Sequence, residues 1–198
     1  EQLLSKIKGK YNLPDRFVLY VGDVNYNKNL LGLCKACKLV KIPLVIAGKS
    51  VASKDFDRVH PENKPLVTLL REYGEDPDVM RVGFVPDEDL VGLYNLATLY
   101  CQPSFYEGFG LSVLEAMASG CPVIASKTQA LVEIAEPGAI FADPKSPKDI
   151  AEKISLVLGD ATLKNQLVET GKVLVKKYSW EKVARETAQV YEKVVERP

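Results

Sequence analysis

The chain has 198 residues, enough for one large domain or for one domain with an appendage. Hydrophobic residues make up 46% of it, so it can bury a substantial core, but their runs are too short and interrupted for a membrane-spanning helix. Its 26 basic residues balance 26 acidic ones, and a formal net charge of zero argues against binding nucleic acid through bulk attraction to phosphate.

Strand-like and helix-like segments alternate along the chain. Residues 1–15 have no apolar leader and predict the tail of a linker helix, as though the chain began within a longer protein. Compact apolar runs predict strands at 16–22, 42–49, 78–85, 98–104, 122–126 and 138–143. Apolar residues at helical spacing predict helices at 27–41, 53–74 (with a proline-marked irregularity), 86–97, 146–160, 161–178 and 179–195.

This alternation predicts an α/β fold. Strands as apolar as these are buried on both faces, which indicates a doubly wound, Rossmann-like parallel sheet of about six strands with helices on both faces. Ligands of such sheets bind at the carboxyl ends of the strands. The loops that we expect to carry function are therefore 22–29, 48–53, 84–88, 103–111 and 126–130.

The four cysteines are expected to be reduced, in a cytoplasmic protein. Cys34 and Cys37 form a Cys-x-x-Cys pair, but both lie inside an amphipathic helix, so core packing is favoured over a redox pair. Cys101 and Cys121 do not supply the second pair that a zinc site would need. His60, the single histidine, is expected on a surface loop without a catalytic role.

Loop 22–29 contains a candidate anion site. Gly22 ends the first strand, and Lys28 stands at the start of the next helix, where free N–H groups and the helix dipole favour negative charge. A polar turn with Asn27 or Asn29 as the N-cap explains the same residues. The signature of a phosphate-binding P-loop is missing, so both interpretations stay open.

Loop 103–111 contains a second candidate, with a glutamate on each side of its glycine turn. Glu115 is explained locally by a capping box, in which Ser112 is the N-cap and Glu115 is the third helical residue. A solvated loop carboxylate is the local explanation of Glu107, and it is the weaker of the two because FYEGFG is an apolar setting for a charge. A carboxylate is repelled by phosphate but binds hydroxyl groups well, so the loops favour a ligand that combines both, such as a nucleotide sugar.

The segment PSFYEGFGLSVLEAMASGCPVIAS, residues 103–126, resembles the core motif of retaining glycosyltransferases of family four, which have the GT-B fold. The motif has two glutamates separated by seven residues, a Gly-Phe-Gly turn between them, then Ala-Met-Ala and Gly-x-Pro-Val. The likeness runs from about residue 16 to the end of the chain. It covers only the C-terminal, donor-binding half of the family, and the N-terminal acceptor-binding domain has no counterpart in it.

The resemblance implies a role for each matched residue. Glu107 would bind hydroxyl groups of the donor sugar and Lys28 would neutralise the diphosphate, and we predict these two as the catalytic residues. Glu115 would bind the ribose. Val85 would meet the base, and the N–H groups of Phe109, Gly110 and Leu111 would hold the sugar and the diphosphate. Gly22 and Gly108 complete the predicted donor-binding residues. Neither a cofactor nor a metal ion is expected.

One residue departs from the family pattern. An arginine usually stands five residues before the family lysine, and this chain has Asp23 there. An aspartate that pointed at the diphosphate would oppose its binding, so the neutralisation of the leaving group is in question. Lys49, after the second strand, is a candidate substitute, although a solvated loop lysine is the favoured explanation of this residue.

The resemblance also implies a domain division and partners. Residues 1–15 would be a linker from the missing domain, 16–178 the donor-binding domain, and 179–198 a C-terminal helix that crosses back to the missing domain. We expect most of the apolar stripe of that helix to pack on its own domain. The expected partners are a GDP- or UDP-sugar and the missing acceptor domain, but no nucleic acid. The full-length protein is expected in the cytoplasm, with peripheral association at the inner face of the membrane.

Two other functions stay open. A retaining phosphorylase shares the same half of the fold, and the residues that distinguish it would lie mainly in the missing domain. A degenerate nucleotide-sugar module without catalysis is favoured only by Asp23 and is disfavoured by the intact pair of Glu107 and Glu115. Mannose on guanosine diphosphate and glucose on uridine diphosphate are both compatible with the sequence.

Overall fold

The structure is a computed structural model that describes residues 2–53 and 55–195. The strands of these residues form one parallel sheet in the order β3-β2-β1-β4-β5-β6, which confirms the predicted α/β, doubly wound fold. The strands are β1 (Val18–Val21), β2 (Leu44–Ala47), β3 (Val79–Gly83), β4 (Leu99–Gln102), β5 (Val123–Ser126) and β6 (Ala139–Ala142). Each falls inside a predicted strand segment.

Helices cover both faces of the sheet. They are α1 (Gln2–Lys10), α2 (Leu30–Val40), α3 (Lys64–Tyr73), α4 (Asp87–Leu96), α5 (Leu111–Ala118), α6 (Gln129–Ala135), α7 (Pro147–Gly159), α8 (Ala161–Leu174) and α9 (Trp180–Val195). Short 3₁₀ turns lie at Tyr26–Lys28, Ser50–Ala52, Pro61–Asn63 and Val175–Lys177. The seven-residue α6 was not predicted as a helix, because it is too short for a strong periodic signal.

Alternate strand residues face two separate hydrophobic cores. Val18 and Tyr20 of β1 point into the core beneath α2, α3 and α7, whereas Leu19 points into the core beneath α1, α4, α5 and α6. All three side chains are fully buried. Burial on both faces explains why the strands read as continuous apolar runs rather than as an alternation of apolar and polar residues.

The N-terminal helix packs against this domain. Ile7 of α1 is only 1% exposed and lies in the second core, and α1 contacts α4. Beyond it, Lys10 Nζ and Tyr11 OH both donate to the carboxylate of Asp89, at 2.5 and 2.8 Å. Residues 2–13 are therefore folded onto the domain, while the predicted boundary between residues 15 and 16 stays a prediction.

The C-terminal helix α9 stands away from the rest of the domain. Every residue from Lys176 to Val195 is exposed, including Trp180 at 75% and Tyr191 at 68%. The expectation that most of its apolar stripe packs on the domain is therefore wrong. Tyr178 still contacts the domain, since its ring lies 6.0 Å from that of Phe109 and its hydroxyl donates to the carbonyl of Ile134 at 3.4 Å, and none of the residues of α9 that follow it is buried.

The cysteines are unpaired and buried, as expected. Cys34 and Cys37 lie in the first core on the inner face of α2. Burial raises the pKa of the Cys34 and Cys121 thiols to about 12, and it raises the pKa of Cys37 and Cys101 well above the ordinary value as well. The reactive thiolate is therefore scarce at neutral pH, and Cys34 and Cys37 serve packing.

We predict that the native chain is inert to thiol reagents. At pH 8, Ellman's reagent should label none of the four cysteines within minutes, because each thiol is buried and protonated. The same measurement in concentrated urea should give four thiols per chain. Rapid labelling of the native chain, or a disulfide between Cys34 and Cys37, would contradict the packing role.

Candidate functional site

The order of the sheet defines where a ligand can enter. β1 pairs with β2 on one side and with β4 on the other. Strands β2 and β3 are therefore added on one side of β1, and β4 to β6 are added on the opposite side. In open parallel sheets, the crevice outside the carboxyl ends of two such strands is the usual ligand site. The loop that follows β1 carries Lys28, and the loop that follows β4 carries Glu107.

Lys28 and Glu107 meet in this crevice. Lys28 Nζ donates to both carboxylate oxygens of Glu107, at 2.8 Å to Oε1 and 2.9 Å to Oε2. The two side chains are only 25% and 10% exposed, so solvent screens the pair less than it would at the surface. The structure thus brings together the two residues predicted as catalytic, although they are 79 positions apart in the chain.

Two further side chains hold Glu107. Gln102 Nε2 donates to Glu107 Oε1 at 2.6 Å, and Ser104 Oγ donates to the same oxygen at 2.7 Å. Gln102 is the last residue of β4 and only 3% exposed, and Ser104 is fully buried. Neither residue is among the site residues predicted from the sequence, although a glutamine at the end of the strand LYCQ is a usable signal, since buried polar side chains need partners.

Lys28 is placed by a 3₁₀ turn. The side chain of Asn25 caps this turn by accepting from the N–H of Lys28 at 3.2 Å. Asn29 follows in the left-handed conformation, with φ of 53°, and α2 begins at Leu30. Asn29 occupies the predicted N-cap position, but its side chain makes no capping bond.

The side chain of Asn29 instead ties three loops together. Its Nδ2 donates to the carbonyl of Pro103 at 2.9 Å and to that of Pro144 at 2.7 Å. A backbone bond from Phe105 N–H to the carbonyl of Asn27, at 2.7 Å, joins the same two loops that carry Lys28 and Glu107. These bonds fix the relative positions of the lysine and the glutamate.

The glycine turn leaves free N–H groups at the start of α5. Gly110 has a φ of 109°, which a residue with a side chain rarely adopts, and α5 begins at the next residue. Among the described residues, the N–H groups of Phe109, Gly110 and Leu111 have no protein acceptor. Free N–H groups at a helix start favour an anion, as predicted for this turn.

We predict that Gly110→Ala destabilises the chain by about 2–4 kcal/mol, through its left-handed backbone and through overpacking. A Cβ at this position would lie 2.5 Å from Leu131 Cδ2. Gly108→Ala is the matched control in the same loop, since a Cβ there meets no atom within 4 Å. It should change the free energy of unfolding by less than about 0.5 kcal/mol. Urea denaturation of both variants measures the difference, and equal stability would contradict this account of the turn.

The predicted capping box is wrong. Helix α5 starts at Leu111, so Ser112 is its second residue and not its N-cap, and no side chain caps it. The left-handed turn at Gly110 starts the helix earlier than the serine would. Glu115 then lies in the second turn, where its Oε2 accepts a hydrogen bond from Tyr94 OH at 3.1 Å. Burial, followed by the charge of Glu115, raises the pKa of Tyr94, so its phenol stays a donor.

A small cavity lies beside the crevice, at the ends of β1, β2 and β3. It has a volume of about 170 Å³ and is lined by Val21, Gly22, Asp23, Ala47, Gly48, Phe84, Val85 and Leu90. It therefore joins Gly22 and Val85, two of the predicted donor-binding residues. Phe84 is 70% exposed and Val85 is buried, which gives the cavity an apolar wall at the end of β3.

Asp23 is exposed at the edge of this cavity. Its Oδ1 accepts a hydrogen bond from Ser50 Oγ at 3.1 Å, and its carbonyl accepts one from Tyr20 OH at 3.0 Å. Lys49 is exposed at the end of β2, and within the described part of the chain it makes no salt bridge or side-chain hydrogen bond. The structure therefore does not bring Lys49 into the cluster around Glu107.

His60 is exposed, and its Nδ1 accepts from Glu62 N–H at 3.3 Å, which confirms a surface loop. Across residues 2–53 and 55–195, no group of three or more histidine, cysteine, aspartate or glutamate side chains could hold a metal ion. No helix in that part of the chain is both long and apolar enough to span a bilayer.

Known proteins are similar in sequence to this chain. The family model for "Glycosyl transferases group 1" matches residues 4–174. An O-antigen chain mannosyltransferase B from Escherichia coli is 32% identical over 189 residues, which are 92% of this chain and 47% of that protein. An MMP alpha-(1->4)-mannosyltransferase from Mycolicibacterium hassiacum is 38% identical over 140 residues, covering 68% of this chain and 34% of its own length. The chain thus spans less than half the length of these relatives.

Solved structures share its fold. A sucrose-phosphate synthase from Thermosynechococcus elongatus superposes with a TM-score of 0.77 and 28% identity, over 96% of this chain and 49% of that one. The C-terminal domain of a glycosyl transferase group 1 family protein from Francisella tularensis has a TM-score of 0.67 and 25% identity, over 87% of this chain and 90% of that domain. With the family match, these likenesses identify the chain as a domain that belongs to the glycosyl transferases of group 1.

Proposed function

We propose that this chain is the donor-binding domain of a retaining hexosyltransferase, which moves a sugar from a nucleoside diphosphate to an acceptor hydroxyl. The observation that carries the proposal is the Lys28–Glu107 pair at the carboxyl ends of β1 and β4, on loops that also lead to the free N–H groups at the start of α5. A cation, unused N–H donors and a fixed carboxylate side by side suit a ligand that has both phosphate and hydroxyl groups.

Lys28 suits the diphosphate even while it is paired with Glu107. An ammonium group has three N–H donors, and two of them are occupied by the carboxylate oxygens of Glu107. The third can reach a phosphate oxygen. When the bond between the sugar and the diphosphate breaks, negative charge grows on the leaving group, and Lys28 together with the N–H groups of Phe109, Gly110 and Leu111 stabilises it without reorganising.

Glu107 orients the sugar in this proposal. Its carboxylate is already bound by three protein side chains, which suits a fixed hydrogen-bond acceptor better than an attacking nucleophile. Glu115 binds the ribose hydroxyls from the second turn of α5, with Tyr94 OH holding its carboxylate. The base enters the 170 Å³ cavity at Gly22 and Val85. Retention at the anomeric carbon follows only from the family resemblance.

A hexose such as mannose is the donor sugar that we propose. Both relatives with the sequence similarities given above are named mannosyltransferases. The acceptor site belongs to the rest of a longer protein, and α9, with its exposed apolar stripe, is proposed to cross back to that part. The unpaired, buried cysteines support a reducing compartment such as the cytoplasm, and association with the inner face of the membrane stays a prediction for the full-length protein.

Calorimetry tests the proposal directly. UDP and GDP are titrated at millimolar concentration into the chain, with circular dichroism as a check that it is folded. We expect one of the two to bind, with an affinity that falls as the salt concentration rises, because Lys28 and the helix start contribute electrostatic attraction. Absence of binding by both nucleotides to the folded chain would overturn the proposed function.

A further inference from the structure

The carboxylate of Glu107 is held asymmetrically. Its Oε1 accepts hydrogen bonds from Lys28 Nζ at 2.8 Å, Gln102 Nε2 at 2.6 Å and Ser104 Oγ at 2.7 Å. Among the described residues, its Oε2 accepts only from Lys28 Nζ, at 2.9 Å. A carboxylate oxygen has two lone pairs, so Oε1 is saturated by the protein, whereas Oε2 can accept a further donor.

The amide of Gln102 is itself held in one orientation. Its Oε1 accepts from Tyr100 OH, two residues back on the same face of β4. With the carbonyl end bound by a hydroxyl donor, the Nε2 end must face Glu107 and Ser104. Burial raises the pKa of Tyr100 far above its ordinary value, so the phenol keeps the proton that it donates.

Burying these hydrogen-bonded polar side chains at the end of β4 costs free energy of desolvation. Gln102, the last residue of β4, is 3% exposed, and Ser104, two residues further on, is fully buried. A buried amide or hydroxyl costs free energy unless its hydrogen bonds are satisfied, and an apolar residue would end β4 equally well. The donors Gln102 Nε2 and Ser104 Oγ converge on one atom, Oε1 of Glu107.

We infer that Gln102 and Ser104 are positioning residues that fix Oε1 of Glu107 to the protein and present Oε2 to the hydroxyl groups of the donor sugar. This inference rests on the proposed function, since it assigns the donor sugar to Glu107. It adds which carboxylate oxygen binds the sugar and which side chains set its direction. Neither residue touches the nucleotide in this arrangement, so both act only through Glu107.

The test compares two ligands of one protein. Calorimetry on the full-length protein gives the Kd of a nucleoside diphosphate and of the matching nucleotide sugar, UDP with UDP-glucose or GDP with GDP-mannose, whichever pair binds. Gln102→Leu and Ser104→Ala should each raise the ratio of the nucleotide-sugar Kd to the nucleoside-diphosphate Kd about tenfold, the loss expected for a hydrogen bond to a charged group. The Kd of the nucleoside diphosphate itself should not change.

A double-mutant cycle separates positioning from a general structural role. In a Glu107→Ala background, Gln102→Leu should leave the ratio unchanged, because the carboxylate through which it acts is already lost. Ser126→Ala is the matched control: Ser126 Oγ donates to the backbone carbonyl of Gln102 at 3.2 Å, and this variant should keep the wild-type ratio.

Each other outcome overturns a defined part of the account. If Gln102→Leu and Ser104→Ala weaken both ligands equally, or leave the ratio unchanged, the two residues are structural and the inference is wrong while the proposed function stands. If Gln102→Leu does not fold, Ser104→Ala alone decides, because it removes one donor and little volume. If the wild-type protein binds neither nucleotide nor nucleotide sugar, the proposed function fails together with the inference.

Discussion

Replacing Glu107 by glutamine is expected to lower turnover of the nucleotide sugar about a hundredfold or more, the effect typical of a lost preorganised contact at a reacting group. The same variant should bind the nucleoside diphosphate alone as tightly as the wild-type protein or more tightly. Lys28 is shared with Glu107 in the free protein, and loss of the carboxylate removes both this competition and a negative charge near the phosphates. Turnover is measured in the full-length protein as release of nucleoside diphosphate, with water as the acceptor.

Glu133→Gln is the control for this prediction. Glu133 is exposed on α6, and its substitution removes one negative charge without touching the crevice. We expect unchanged turnover and unchanged affinity in this variant. If Glu107→Gln keeps more than about half of the wild-type turnover, Glu107 has no role in the reaction, and a binding module without catalysis becomes the better interpretation.

Replacing Lys28 by methionine is expected to weaken the binding of the diphosphate. The apolar stem is kept while the charge is lost, so the affinity for nucleoside diphosphate should fall about tenfold and turnover about a hundredfold. The dependence of affinity on salt concentration should become weaker as well, because one cation no longer contributes. Calorimetry at two salt concentrations and the release assay measure these changes.

Lys49→Met tests whether Lys49 replaces the family arginine, at whose position this chain has Asp23. If Lys28 and the free N–H groups of α5 balance the diphosphate without the usual arginine, Lys49→Met should change affinity by less than about twofold, since exposed surface charges contribute little. A larger effect of Lys49→Met than of Lys28→Met would mean that the two lysines have exchanged roles. The hydrogen bond from Ser50 to Asp23 Oδ1 is consistent with a carboxylate that the protein holds at the edge of the cavity.

The sheet could be predicted from the sequence because each strand is an apolar run bounded by turn residues. Elements whose position depends on contacts between distant residues were predicted less well. The amphipathic pattern of α9 indicates a helix but does not say which surface covers its stripe. The start of α5 was misplaced because a serine and a glutamate at capping-box spacing outweighed the left-handed turn at Gly110, which depends on backbone geometry.

The charged residues of the candidate site can be predicted from the sequence, whereas its buried polar residues cannot. Glu107 and Lys28 stand out because both are charged and lie on loops after strands. Gln102 and Ser104 are uncharged polar residues at the end of a strand. Their part in the site is recognised only from the hydrogen bonds that their side chains donate to Glu107. The hydrogen bonds from Asn29 to the carbonyls of Pro103 and Pro144 join positions far apart in sequence, so no local sequence pattern predicts them.

The most direct test of the central claim is to map where a nucleoside diphosphate binds, by amide chemical-shift changes in the labelled chain. We predict the largest changes at Phe109, Gly110 and Leu111, whose N–H groups are free, and at Gly22, which lines the 170 Å³ cavity. A separate cavity of about 470 Å³, lined by residues that include Tyr26, Lys35, Lys64 and Lys145, provides the contrast. Changes confined to that cavity, with none at the start of α5, would contradict the claim that Lys28, Glu107 and the glycine turn form the donor site.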